Sequence, residues 1–199
     1  MYPKSRSAMV LVILASAVCA LGMGACPDGT LTPGPGSVGS MDATETQRAM
    51  DALAAINAHR AAKGLAALTF HSAGAQVAFE HSAAMDAGSF FDHTNPSTGS
   101  TPASRAQTAG ITHDPLGSIE PSSGLPFVGE NIFMTTDPAA TAQDAVDAWI
   151  ASPGHHTQID APQPVAGAQV MPPWTHCAIG VHRNGNTSWW TAMFFRNPN

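Results

Sequence analysis

Apolar residues change their spacing several times along the chain, and each spacing predicts an element. An apolar run from Ala8 to about Leu21 follows Lys4 and Arg6 and gives way to small residues before Cys26. Basic residues, a short apolar stretch and a small-residue exit predict a secretory signal peptide over residues 1–25. The run falls short of the roughly 20 residues that a membrane-spanning helix needs. Residues 26–42 lose all apolar periodicity and are rich in Gly and Pro, which predicts a tether.

From residue 43 the pattern turns helical. Met50, Leu53 and Ile56 recur at helical spacing behind Thr44-Glu45-Thr46-Gln47, which has the form of a capping box, and Lys63-Gly64 closes that helix. Leu65 and Leu68 fill a short connection. A second helix is predicted over residues 72–87, with Val77, Ala78, His81, Ala84 and Met85 on one face and Gly88 as its stop. Residues 94–128 are rich in Pro, Gly, Ser and Thr, and loops of that length tend to be functional or disordered rather than neutral connectors. Val128, Ile132 and Phe133 then predict a short buried strand. The third helix carries the stripe Ala142, Ala145, Val146, Trp149, Ile150, with Asp137 as its N-cap and Pro138 in the first position. Pro153-Gly154 breaks it. Two strand-like runs close the chain, Cys177–Arg183 and Ser188–Phe195, with Asn184-Gly185 between them as a hairpin signal. Helices first and an antiparallel hairpin last predict an α+β domain over residues 43–199, with helices packed on a sheet.

Charge narrows the class of partner. Fourteen acidic residues stand against eight basic ones, net −6. Removing residues 1–25 takes away Lys4 and Arg6 and no acid, leaving six against fourteen, net −8. An acidic chain with no basic cluster excludes nucleic acid, because phosphate neutralisation needs Lys and Arg. The segment Leu21-Gly22-Met23-Gly24-Ala25-Cys26 has the form of a bacterial lipobox, with Met23 in place of the usual Leu. Lipidation of Cys26 would make the chain a membrane-anchored lipoprotein whose membrane contact is the lipid alone. Ordinary cleavage would release it into the periplasm or medium. With Cys26 lipidated only Cys177 remains, so no internal disulfide can form and the core must supply the stability. Cys177, on an apolar strand pattern, reads as a small buried hydrophobe.

Val128-Gly129-Glu130-Asn131-Ile132 carries the chemistry of interest. It places a carboxylate and a carboxamide between apolar flanks, behind a glycine whose backbone can turn or be approached closely. A buried carboxylate needs partners, since an unpaired buried charge costs several kcal/mol. His93, in Phe90-Phe91-Asp92-His93-Thr94-Asn95-Pro96, and His155, in Ser152-Pro153-Gly154-His155-His156, stand in loop contexts able to supply them. Two imidazoles and a carboxylate are ligands that Zn²⁺ or another divalent cation accepts, and three protein ligands leave an open coordination position. The spacings, 37 and 25 residues, belong to no metal motif of the HExxH kind. A hydrogen-bonded cluster that fixes the cleft without catalysis is the other reading. The remaining histidines read as packing or surface residues, with His156 notable for lying beside His155. No serine stands in a Gly-x-Ser-x-Gly context. Trp149, Trp174, Trp189, Trp190, Phe194 and Phe195 exceed what one small sheet needs, which leaves room for an apolar ligand groove.

The order of these motifs resembles the CAP superfamily, also called SCP-like, in its bacterial form. The resemblance rests on His81-Ser82 with Met85, Phe91-Asp92-His93, Arg105 and Gly110, Gly129-Glu130-Asn131-Ile132, Trp149 through His155, and the last two strands, and it spans residues 44–196. It implies a three-layer α-β-α sandwich, helices packed on an antiparallel sheet, and a cleft containing His93, Glu130, His155 and Asn131. A second glutamate found in many eukaryotic members would fall near Ser152, where there is no carboxylate. Residues 160–174 look like a Pro-rich insertion. By resemblance, the ligands are a divalent metal held by His93, His155 and Glu130, or a lipid- or sterol-like molecule of the cell envelope. The reading that follows is an exported envelope binding module. Its competitors are a metal-assisted hydrolase with Glu130 as base and a purely structural envelope protein.

Overall fold

Two strands form the axis of the molecule. β3 (His176–Asn184) and β4 (Thr187–Phe195) pair antiparallel from His176↔Phe195 to Asn184↔Thr187. Their side chains alternate between two cores. Cys177, Ile179, Val181, Trp190, Ala192 and Phe194 enter one, while Ala178, Met193 and Phe195 enter the other. Strands buried on both faces read as continuous apolar runs. The hairpin turn is residues 185–186, one residue later than Asn184-Gly185 predicts. Gly185, at φ +59°, takes the left-handed conformation at its first position.

The computed structural model describes residues 39–111, 128–160 and 174–198. β2 (Gly129–Thr135) adds antiparallel to β4, and β1 (Thr69–Phe70) adds parallel to β3, giving the order β1-β3-β4-β2. The sheet is therefore mixed where an antiparallel one was expected. β1, two residues long, is too short to show alternation and lies in what reads as a connection. α1 (Ala43–Ala62), α4 (Ala142–Ala151) and α5 (Pro153–Asp160) cover one face through Leu53, Ile56, Val146, Trp149 and Ile159. α2 (Ser72–Ala87) and α3 (Pro102–Thr108) cover the other. This is the α-β-α sandwich. α2 lies close on the sheet because of Gly180, where an added Cβ would sit 1.9 Å from the Phe79 backbone nitrogen.

Helix starts differ from the sequence reading in three places. α1 is capped by Asp42, whose side chain accepts from the Glu45 N–H at 2.7 Å while Glu45 accepts from the Asp42 N–H at 2.9 Å. That box begins two residues before Thr44, and Glu45 also accepts from the Arg183 N–H, tying the helix to β3. α4 starts at Thr141 with Asp144 as its reciprocal partner, and Asp137-Pro138 form a turn ahead of it. α3 lies inside the stretch that reads as loop, announced by Thr101, Pro102 and Ser104. Of the tether, Gly39 to Asp42 belong to the folded body: Gln76 donates to the Gly39 carbonyl and Met41 packs on both cores. The signal peptide, Cys26 and the rest of the tether lie outside the described residues, as do residues 112–127 and the Pro-rich insertion at 161–173. Among the described residues no helix is long and apolar enough to cross a membrane.

Candidate binding cleft on the edge of the sheet

Among the described residues β2 pairs only with β4, leaving its other edge unpaired, and the period of two along it sends consecutive residues to opposite layers. Glu130 lies opposite Met193 and faces the α2–α3 layer; Asn131 lies opposite Ala192 and faces the α4–α5 layer. This alternation explains the site. Glu130 meets groups from α2, α3 and the loop between them, while Asn131 donates to the His155 carbonyl on α5 at 3.0 Å. Gly129 before them is approached closely. A Cβ there would meet the Gln158 Oε1 at 2.3 Å and the Trp174 ring at 2.9 Å.

The Glu130 side chain is 2% exposed, and both oxygens are engaged. Oε1 accepts from His93 Nδ1 at 2.9 Å, and Oε2 accepts from an Arg105 guanidinium nitrogen at 2.6 Å. The other terminal nitrogen of Arg105 donates to the carbonyls of His93 and Ser100, each at 3.0 Å, so one cation neutralises Glu130 and pins the histidine loop. Asx turns stiffen that loop, with Asp92 accepting from the Thr94 N–H and Asn95 from the Ser97 N–H. His81, fully buried on α2, donates from Nε2 to the Asp92 carbonyl at 3.0 Å and stands 3.9 Å from Glu130 Oε1. Burial pushes its pKa down to about 4, against the pull of Glu130, so it is neutral at physiological pH.

His93 and His155 reach around the free edge of β2 from opposite layers, with ring centroids 6.1 Å apart. His155 sits in the first turn of α5, whose opening hydrogen bond runs from the His156 N–H to the Ser152 carbonyl. It is thus helical, where the sequence reading placed it in a loop: Pro153 ends α4 and starts α5. The two imidazoles are driven apart in basicity. Its hydrogen bond to Glu130 raises the pKa of His93, whereas burial and then the charge of His93 lower that of His155. Because a carboxylate only accepts, Nδ1 is the protonated nitrogen of the neutral His93 ring and Nε2 holds its lone pair. Two further polar atoms on the carboxylate's side, His81 Nδ1 and Arg105 Nε, and Asn131 Oδ1 on the opposite face of β2, have no hydrogen-bond partner among the described residues.

The structure brings His93, Glu130, Asn131 and His155 together, with each Glu130 oxygen already accepting one hydrogen bond, from His93 and from Arg105. Among the described residues, the three-donor set within 4.8 Å is His59, His156 and Asp160. Sequence reasoning gave His81 to packing and Arg105 only to motif spacing, and both are partners of the site. A signal for Arg105 was present: it is the only Lys or Arg between Lys63 and Arg183. Of the six aromatic residues that exceed what one small sheet needs, Trp149, Trp174, Trp190, Phe194 and Phe195 are buried in the core and Trp189 is half-buried. Cys177 is free and fully buried, with burial pushing its thiol pKa up, as befits a small hydrophobe.

The model of the CAP, cysteine-rich secretory protein family matches residues 53–194. Three bacterial structures share the fold. An extracellular protein containing an SCP domain from Bacillus anthracis superposes with a TM-score of 0.59 at 21% identity, over 80% of this chain and 45% of that one. An outer surface protein of Borrelia burgdorferi gives 0.58 at 14% identity, over 80% and 98%. A cysteine-rich secretory protein from Staphylococcus aureus gives 0.53 at 12%, over 78% and 40%. The chain therefore spans less than half of the Bacillus and Staphylococcus proteins. Among curated proteins none matches. With the family model covering most of the sandwich and the cleft motifs in their places, the chain belongs to the CAP family.

Proposed function

We propose that the protein is an exported binding module of the cell envelope whose cleft, at the free edge of β2, binds a divalent metal ion through His93 and His155. The observation that carries this reading is the 2.9 Å bond from His93 Nδ1 to Glu130. A carboxylate behind one imidazole nitrogen fixes the tautomer, raises the basicity of the ring and turns the other nitrogen outward, the usual support for a metal-binding histidine. His155, neutral by virtue of burial, would supply the second nitrogen. The unpartnered polar atoms around Glu130 add groups that could hydrogen-bond to metal-bound water or another polar ligand. A bound ion would supply Lewis acidity; the chain itself orients His93 through Glu130.

The hydrolase reading has less support, because Glu130 is buried and paired with the Arg105 guanidinium and His93, which favours a structural carboxylate over a base. The lipid-like ligand has less support too, since five of the six aromatic residues named for a groove are buried in the core, and the sixth, Trp189, is half-buried. Export is supported by the N-terminal pattern of basic, apolar and small residues and by the extracellular and outer-surface relatives. Lipid anchoring rests on Cys26 alone.

Calorimetry with Zn²⁺ tests the cleft. His93→Ala and His155→Ala should each remove a binding component seen in the wild type, and Glu130→Gln should weaken it by about 10–100-fold. The reading fails if no component of the heat differs between the wild type and the two histidine variants.

A further inference from the structure

A second cluster of metal-ligand side chains lies on the side of α5 turned toward α1. On α5, His156 and Asp160 are four residues apart and share a face, and His59 and Lys63 do the same on α1. His59 Nε2 lies 2.9 Å from Asp160 Oδ1, and His156 Nε2 lies 3.2 Å from Asp160 Oδ2. The two imidazole rings meet edge to face, centroids 5.3 Å apart. Lys63 Nζ sits among them, donating to Asp160 Oδ2 at 2.5 Å and to His156 Nε2 at 2.9 Å. A lysine can only donate, so His156 offers a lone pair at Nε2. The helices are held in register from below by buried Arg60, which donates to the Ile159 carbonyl at 2.6 Å and to the Ala66 carbonyl at 2.8 Å.

We propose that His59, His156 and Asp160 form a second site, separate from the cleft, for a divalent cation of the Zn²⁺ class, and that the Lys63 ammonium is the cation the metal displaces. Three arguments carry this. The donor atoms all fall within 4.8 Å of one another, so one ion can reach all three without a helix moving. Two imidazole nitrogens and a carboxylate oxygen are a Zn²⁺ donor set, with a position left for water. The centre is already a cation site, because Lys63 brings its charge to the point where the carboxylate and the His156 lone pair converge. Coordination at His59 Nε2 moves that nitrogen's proton to Nδ1 or to solvent, and Lys63 swings outward along its flexible stem; it is 40% exposed and free to do so.

His155 is the next residue to His156, so an ion bridging α1 and α5 would fasten the helix that carries one cleft histidine. The site itself uses no cleft atom, which lets the two be tested apart. Zn²⁺ is titrated into full-length protein carrying His93→Ala, which removes the donor proposed for the cleft. Binding should persist there with one equivalent of metal, and adding His59→Ala or Asp160→Asn should weaken it by about tenfold or more. Lys63→Met keeps the aliphatic stem and removes the competing charge, so it should tighten binding. Excess Zn²⁺ should raise the thermal midpoint of the His93→Ala protein by roughly 5 °C and leave that of His93→Ala/His59→Ala unmoved. Near-ultraviolet circular dichroism of the metal-free variants verifies that each is folded. The proposal is overturned if the His93→Ala protein binds no Zn²⁺, if His59→Ala leaves its affinity unchanged, or if Lys63→Met weakens it.

Discussion

Three side chains around Glu130 divide the work of holding one buried charge. Arg105 neutralises it, His93 hydrogen-bonds to it, and His81 stays neutral beside it. His81 should leave a mark on the pH dependence of stability. Its pKa lies near 4 in the folded protein and near 6.5 when unfolded, so below pH 6.5 the unfolded chain takes up a proton that the native state refuses. Stability should fall as pH drops from about 6.5 and stop falling for this reason near 4. The loss is about 3 kcal/mol at most. Urea unfolding at pH 7 and pH 4.5 should show the wild type losing about 2–3 kcal/mol more than His81→Asn; equal losses would mean that His81 protonates in place. His93 runs the opposite way: its raised pKa stabilises the fold at low pH, and that contribution fades as pH rises through the folded value. Glu130, His93 and His155 were legible in the sequence because a carboxylate between apolar flanks demands partners. His81 was not, because a histidine on an apolar helical face looks the same whether it packs or serves a site.

The elements were legible where apolar spacing is regular and obscure where a few polar atoms decide. The stripe through Trp149 gave α4 and its buried face correctly, whereas its start moved from Asp137 to Thr141 because Thr141 and Asp144 satisfy each other's backbone. β1 and α3 were missed, being too short for periodicity to show. Trp149 gives the element scale its test. It is 1% exposed, and its indole nitrogen donates to the Ile132 carbonyl on β2 at 3.0 Å, so it joins α4 to the strand that carries Glu130. Trp149→Ala should cost about 3–5 kcal/mol and lower the thermal midpoint by about 10 °C. A drop of only a degree or two would show that the indole does not hold α4 to the sheet.

At the scale of the molecule, β2 is the hinge between sequence and function: as an edge strand it sends Glu130 into one layer and Asn131 into the other, so that two histidines from different layers meet across its free side. The fold class and the layers were readable from motif order, but the meeting of His93 and His155 depends on strand order, which no spacing along the chain encodes. Attachment to the envelope is a separate proposal that rests on the sequence around Cys26. Cys26→Ser should abolish partitioning of the expressed protein into the detergent phase, and partitioning unchanged by the substitution would rule out the anchor. The central claim, that Glu130 holds His93 so that Nε2 faces the ligand, is tested most directly by the nitrogen resonances of the imidazole rings. Long-range ¹H–¹⁵N correlation spectra should show neutral His93 protonated at Nδ1, titrating above the ordinary histidine pKa, with Nε2 the nitrogen that shifts when Zn²⁺ is added. A neutral His93 protonated at Nε2, or one that Zn²⁺ leaves unmoved, would contradict the account.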